Sequence, residues 1–241
     1  MLNTQISIYG IMIFLSLVAN IVVVVVLAEK YDFTKIEIVC LIFYEGIGII
    51  LGGKILTFIQ NYQEFGGEFD LIGTGLTAYG GMIGALLFLL AFSIQFRKSF
   101  RKMLFIFVPP IPLMYGIGKI GCFFAGCCHG IEYNGLGSVA HHHLNATTDN
   151  IRLFPVQLVE TAVFVGIFIY LIYVHWRNRF DMKTVGITFI LCGLSKFLLD
   201  FLRMSHIGQI ISSNQWISLV AVIVGTYMVV KEFKPQSYLV V

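Results

Sequence analysis

Seven apolar stretches, each about as long as a bilayer's hydrocarbon core is thick, constrain this chain more than any other feature. A membrane-crossing helix needs roughly 20 mainly apolar residues. Such runs occupy about residues 6–28, 36–59, 76–96, 103–128, 155–176, 184–203 and 214–231, each bounded by polar or charged residues. Only 12% of the 241 residues are charged and 58% are hydrophobic, with mean hydropathy +0.87. Soluble domains carry about 25% charged residues, and a water-soluble fold of this length could not hide so much apolar surface. The first run lacks a basic leader and a small-residue cleavage site, so it reads as a retained span rather than a signal peptide. The expectation is an all-α, polytopic membrane protein of seven transmembrane helices forming a single domain over 1–241. The basic residues form no aromatic-rich stripe, which argues against nucleic acid as a partner.

Cytoplasmic loops retain Lys and Arg, so their placement orients the chain. Lys30 and Lys35 follow the first span; Arg97, Lys98, Arg101 and Lys102 follow the third. Arg177, Arg179 and Lys183 follow the fifth, and the tail carries Lys231 and Lys234. The alternate loops hold Arg152 alone, a balance of eleven against one. The N-terminus is therefore expected outside and the C-terminus inside. The loops at about 60–75 (Glu64, Glu68, Asp70) and 129–154 (Glu132, Asp149 and the run His141–His143) then lie outside.

Of the 16 basic residues, Lys54, Lys119, Lys196 and Arg203 fall within spans, with Glu45, Glu160 and Asp200 as the acids. A charge near the bilayer centre costs at least about 2.5 kcal/mol on the lenient insertion scale, so it faces a cavity or a partner. With each span oriented, depth follows from the 1.5 Å rise per residue. Lys119 lies past the middle of the outward-running fourth span, and Gln157 and Glu160 lie at the outer mouth of the fifth. Tyr79 lies just below the outer surface on the third. Lys196, Asp200 and Arg203 follow one another at i, i+4 and i+7 along the outer half of the sixth, on one face. Four helices thus bring polar residues to one layer, whereas independent structural pairs have no reason to share a depth. Fixed cations in low dielectric form a receptor for phosphate. Gly80, Gly81 and Gly84, like Gly116, Gly118 and Gly121, serve either close helix packing or close approach to a headgroup.

Cys122, Cys127, Cys128 and His129 form the most unusual string. A neighbouring histidine can lower a thiol's pKa and make it a nucleophile, and an outer location permits a disulfide. A metal site could draw on the loop histidines, but no CxxC-type spacing supports one. The alternative is packing of small apolar side chains at a helix end. Cys40 and Cys192, alone in their spans, read as packing residues.

In order along the chain, these residues resemble the prolipoprotein diacylglyceryl transferase family of bacterial membranes. Tyr9-Gly10-Ile11-Met12 resembles the family's aromatic-glycine start. Ala78-Tyr79-Gly80-Gly81-Met82-Ile83-Gly84 is similar to its glycine-rich third-span motif. Gly118-Lys119-Ile120-Gly121-Cys122-Phe123 stands at its signature, Phe154 to Glu160 resembles its Pro-x-Gln-Leu-x-Glu element, and Lys196, Asp200 and Arg203 match its sixth-span pattern. Lys119 and Lys196 stand where the family has arginine, Tyr79 where many members have a histidine, Cys122 at an asparagine and Cys127 at a glutamate.

The resemblance implies transfer of a diacylglyceryl group from phosphatidylglycerol, or a related anionic phospholipid, to the cysteine thiol of a lipoprotein precursor or another thiol acceptor. It implies no metal and no organic cofactor. It places the chain in the bacterial cytoplasmic membrane, with its site in the non-cytoplasmic half. Catalytic roles would fall to Tyr79, Lys119, Glu160, Lys196, Asp200 and Arg203, with the three cations on phosphate and the two acids orienting them. Substrate binding would fall to Tyr9, Gly80, Gly81, Gly118, Gly121 and Gln157. A second reading is a non-catalytic or thiol-redox protein on the same scaffold, using Cys122, Cys127 and Cys128.

Overall fold

The computed structural model describes residues 2–31, 33–62, 77–140 and 151–233. Most of the loop expected at 60–75, with Glu64, Glu68 and Asp70, lies outside these residues, as do His141–His143, Asp149 and Lys234. The described chain is mostly helical, with α1 (Leu2–Lys30), α2 (Lys35–Gln60), α3 (Ala78–Gln95), α4 (Phe100–Phe107) and α5 (Pro110–Phe124) in its first half. A two-stranded antiparallel sheet follows, β1 (Val139–Ala140) with β2 (Arg152–Leu153). Then come α6 (Val156–Trp176), α7 (Met182–Asp200), a 3₁₀ turn (Met204–His206) and α8 (Ser213–Phe233). Among the described residues, this small sheet and two isolated bridges depart from the all-α expectation.

Six helices among the described residues are long and apolar enough to cross a membrane: Ile8–Lys30, Lys35–Gln60, Phe100–Phe124, Val156–Trp176, Met182–Asp200 and Ser213–Glu232. The third expected span is a shorter apolar helix, Tyr79–Gln95. The fourth is interrupted: α4 ends at Phe107 and α5 restarts at Pro110. Pro109 and Pro110 have no amide hydrogen to continue a helical ladder, while proline suits the first turn of a new helix. Large apolar side chains such as Phe14, Phe43, Ile94, Ile169, Leu198 and Ile223 are exposed, whereas Glu45, Lys119, Glu160, Lys196 and Asp200 are buried. Water would reverse that distribution; hydrocarbon favours it.

Contacts gather into two units, Val24–Ile106 and the remainder (Met1–Val23 with Phe107–Val241). In the first, α2 begins in a capping box: the Thr34 hydroxyl accepts from the Glu37 amide, and the Glu37 carboxylate accepts from the Thr34 amide at 2.9 Å. Glu37 also pairs with Lys98 at 2.8 Å, and Lys98 lies over the Phe33 ring. The α2–α3 seam is built of glycine. A Cβ on Gly84 would lie 2.0 Å from the Gly48 carbonyl oxygen, and one on Gly52 would lie 2.3 Å from that of Gly80. Gly48 and Gly52 oppose Gly84 and Gly80, the four-residue spacing that lets two backbones touch. Thr77, the residue before α3, donates its amide to the Thr57 hydroxyl and its own hydroxyl to the Gly53 carbonyl. The glycines of the third-span motif are thus accounted for by helix packing.

The second unit repeats the device more loosely. Gly186 of α7 meets Gly225 of α8, where a Cβ would lie 2.7 Å from the carbonyl oxygen. Between α5 and α6, the Thr161 hydroxyl donates to the Gly116 carbonyl at 3.0 Å. Gly121 of α5 takes Tyr9 and Met12 of α1 against its open face, with Tyr9 Cδ2 at 3.3 Å from a hypothetical Cβ.

Candidate active site

The centre of the second unit is one carboxylate. Pro155 starts α6, and Glu160 follows within two turns, wholly buried. Lys196 of α7 donates to Oε1 at 2.9 Å, and Lys119 of α5 pairs with Oε2 at 3.3 Å. Arg203 Nη2 donates to both oxygens at 2.8 Å, and the Tyr115 hydroxyl donates to Oε1 at 3.0 Å. Both lysine ammoniums also sit 5.1 Å from the Tyr115 ring centroid, within cation–π range. All three cations are less than 10% exposed. Three positive charges on one negative leave two in excess, and Asp200 offsets one of them.

Arg203 does not reach this cluster along a helix face. The i, i+4, i+7 expectation is corrected here: α7 ends at Asp200, and Arg203 is extended (φ −93°, ψ 140°) ahead of the 3₁₀ turn. A short strand-like strap holds it. Arg203 bridges Gly130 in antiparallel fashion, the Ile131 amide donates to the Leu202 carbonyl, and the Met204 amide donates to the His129 carbonyl, both at 3.0 Å. On the strap's other side Phe154 donates its amide to the Ile131 carbonyl at 2.9 Å. Gly130 is required by proximity, since a Cβ would lie 2.2 Å from the Phe154 carbonyl oxygen. The loop after α5 thereby ties the residues before α6 to those after α7.

Asp200 faces a separate set of partners. Its carboxylate accepts from the Ser212 hydroxyl and from Asn214 at 3.4 Å; His206 Nδ1 lies 3.5 Å away and Arg203 Nε 3.9 Å. Ser212 is itself half of a reciprocal cap: its hydroxyl accepts from the Gln215 amide, and Gln215 Oε1 accepts from the Ser212 amide. Asp200 thus fastens the start of α8 to the end of α7, beside Arg203.

Gln157 is wholly buried one turn before Glu160, and its Nε2 donates to the Cys127 carbonyl at 2.9 Å. Among the described residues, neither Gln157 Oε1 nor Arg203 Nε has a hydrogen-bond partner, although both atoms are buried. Cys122 lies in the last turn of α5; Cys127 and Cys128 lie in the turn beyond it, and the three sulfurs are within 4.8 Å of one another. His129 turns its Nε2 to the Gly126 carbonyl. Tyr9 packs on Gly121 and is within electrostatic reach of all three thiols. Gly118 has open space beside it, with Ile13 the nearest neighbour at 4.0 Å.

The structure therefore gathers Lys119, Lys196 and Arg203 on Glu160, with Asp200 beside Arg203 and Gln157 one helical turn before Glu160. Tyr79, Gly80 and Gly81 belong to the other unit, at the start of α3. Sequence reading missed Tyr115, Ser212 and Asn214. Tyr115 had a signal, standing one turn before Lys119 on the same helix face. Ser212 and Asn214 had only the Ser-x-x-Gln cap pattern.

Comparison with known proteins adds an independent line. The prolipoprotein diacylglyceryl transferase family profile matches residues 1–231. A phosphatidylglycerol–prolipoprotein diacylglyceryl transferase of Clostridium tetani is 27% identical over 225 residues, covering 91% of this chain and 90% of the relative. One from Finegoldia magna is 28% identical over 235 residues, covering 95% and 91%. A second enzyme of that name from Clostridium perfringens is 28% identical over 182 residues, covering 73% and 71%. With a matching family profile across nearly its whole length and relatives of one name aligned over most of it, this chain belongs to the prolipoprotein diacylglyceryl transferase family.

Proposed function

We propose that the protein transfers a diacylglyceryl group from phosphatidylglycerol, or a related anionic phospholipid, to the cysteine thiol of a lipoprotein precursor or a similar thiol acceptor. The observation that carries this reading is the buried cluster around Glu160. Three cations share one carboxylate there, and the uncompensated charge in low dielectric is relieved by an anion. A phosphodiester headgroup carries one negative charge. When the bond between glycerol carbon and phosphate oxygen breaks, glycerol phosphate leaves with a second, which the same cations stabilise more strongly than they do the ground state.

In this reading Lys119, Lys196 and Arg203 hold the phosphate, and Glu160 keeps them mutually oriented before lipid arrives. Arg203 Nε and Gln157 Oε1, buried without hydrogen-bond partners among the described residues, remain to receive phosphate oxygen and glycerol hydroxyl respectively. Asp200 sets the position of Arg203 through the α7–α8 junction. We place the site in the non-cytoplasmic half of a bacterial cytoplasmic membrane, with the N-terminus outside, on the distribution of Lys and Arg.

The test is release of glycerol phosphate from phosphatidylglycerol vesicles by the purified chain, with a peptide bearing a lipoprotein-type cysteine as acceptor. Release should require the peptide thiol and should collapse in Lys119→Ala and Arg203→Ala. Full release by both variants would overturn the proposed site. Failure of the wild-type chain to rescue a strain depleted of its own diacylglyceryl transferase, despite good membrane expression, would point to another acceptor.

A further inference from the structure

The phosphate-binding reading leaves the cysteine cluster unused. α5 ends at Phe124, and the chain then reverses through Gly126 at φ 64° and Cys128 at φ 58°. A non-glycine residue in the left-handed region costs about 1–2 kcal/mol, so the fold holds Cys128 there against preference. The Cys127 amide donates to the Cys122 carbonyl at 3.0 Å, which folds the turn back onto the helix end. Buried Gln157 then holds the Cys127 carbonyl from α6. The outcome is three thiols in mutual contact, their sulfurs within 4.8 Å of one another. Tetrahedral thiolates about 2.3 Å from a zinc ion stand about 3.8 Å apart, so a side-chain rotation of ångström scale closes the set.

We propose that Cys122, Cys127 and Cys128 bind one thiophilic divalent cation, Zn²⁺ by preference, as a three-thiolate site with an open fourth position. Among the described residues no fourth Cys, His, Asp or Glu joins the group. Structural zinc sites have four protein ligands, whereas catalytic ones have three and leave a position for substrate. Charge fits as well. Three thiolates on a divalent cation carry one net negative charge, and Lys119 lies within electrostatic reach of Cys122 and Cys128, as does Arg203 of Cys128. Cys128 is exposed, so the open position can be reached.

The role follows from the transferase reading and rests on it. The fourth ligand is the acceptor cysteine, which binds as thiolate and releases its proton to water. Its sulfur forms a bond to the glycerol carbon as the bond from that carbon to the phosphate oxygen breaks, and the bonding pair leaves on glycerol phosphate. Binding to the cation makes a thiolate near neutral pH without a strong base.

The experiment is a titration of the full-length, detergent-solubilised, fully reduced chain with Co²⁺ under anaerobic conditions. A thiolate-to-cobalt charge-transfer band should saturate at one Co²⁺ per chain, with visible bands of tetrahedral cobalt, and Zn²⁺ should displace it. Cys127→Ser and Cys128→Ser should each weaken binding at least tenfold, while Cys192→Ser should bind as wild type. A reduced wild-type chain that shows no such band overturns the site without recourse to any variant, as does a band unchanged in Cys127→Ser. A cysteine peptide, but not its serine analogue, should shift the visible bands. Glycerol phosphate release measured on the same samples separates the two readings. Cobalt binding without lipid cleavage keeps the metal site and removes the transferase reading. Lipid cleavage undiminished after chelation overturns the metal's catalytic role and leaves the transferase reading standing.

Discussion

The α2–α3 seam and the Glu160 cluster solve the same problem, holding helices together in a solvent that gives no hydrophobic drive between them, by opposite means. The seam uses absence: Gly48, Gly52, Gly80 and Gly84 remove side chains until backbone meets backbone, and dispersion does the rest. The cluster uses charge, with α5, α6 and the end of α7 converging on one carboxylate. A glycine seam is complete in itself, whereas the cluster carries more positive than negative charge. What is left over after folding is what a substrate can use.

Removing the hub should give the largest effect. Glu160→Ala leaves three buried cations facing one another, and breaking a buried pair costs about 3–5 kcal/mol. The expected outcome is a large loss of folded protein, read as detergent-extractable monodisperse chain and as thermal stability. Wild-type stability in that variant would erase the distinction between the two regions. Gly84→Leu comes next: its Cβ alone would overlap the Gly48 carbonyl, and overpacking costs about 1–3 kcal/mol or more. Here a lowered Tm should accompany whatever activity survives, because the proposed phosphate site is built on Glu160 and its cations, not on the seam.

Lys119→Ala should behave in the opposite sense. It removes excess charge rather than the partner that neutralises it, so stability should change little. Transfer should fall by about 10- to 100-fold, the equivalent of the roughly 1.5–3 kcal/mol of a hydrogen bond to a charged group. Equal losses of stability and activity would show that the lysine is only structural. Smallest is Tyr115→Phe, which keeps the ring under both ammoniums and deletes the hydroxyl that donates to Glu160 and accepts from Arg203 at 3.5 Å, a change of about 1 kcal/mol. An effect as large as that of Glu160→Ala would mean that the phenol has a chemical role.

The apolar runs, the order of the motifs and the presence of charges within spans were all legible in the residues. So was the grouping of Lys119, Glu160, Lys196 and Arg203, since costly charges in one layer of a bilayer seek one another. Reading Arg203 as the third step on a helix face was wrong for a local reason. Helical periodicity was carried past Asp200, but the carboxylate there caps the next helix through Ser212, and the chain turns out to pair with Gly130. The glycines could not be apportioned from sequence, because contact with a helix and contact with a headgroup both ask for a missing side chain.

The sequence by itself determined that the chain lives in a membrane, which residues are expensive there and which family it resembles, because each is a property of composition, depth or order along the chain. Only the tertiary structure decided which carboxylate is the hub, that Tyr115 serves it, and that Cys122, Cys127 and Cys128 meet. Those facts depend on how α5, α6 and α7 approach one another and on a left-handed turn at Cys128. Neither is written in spacing: Cys122 stands five positions before Cys127 and Cys128 follows directly, and it is the reversal at the end of α5 that brings their sulfurs together.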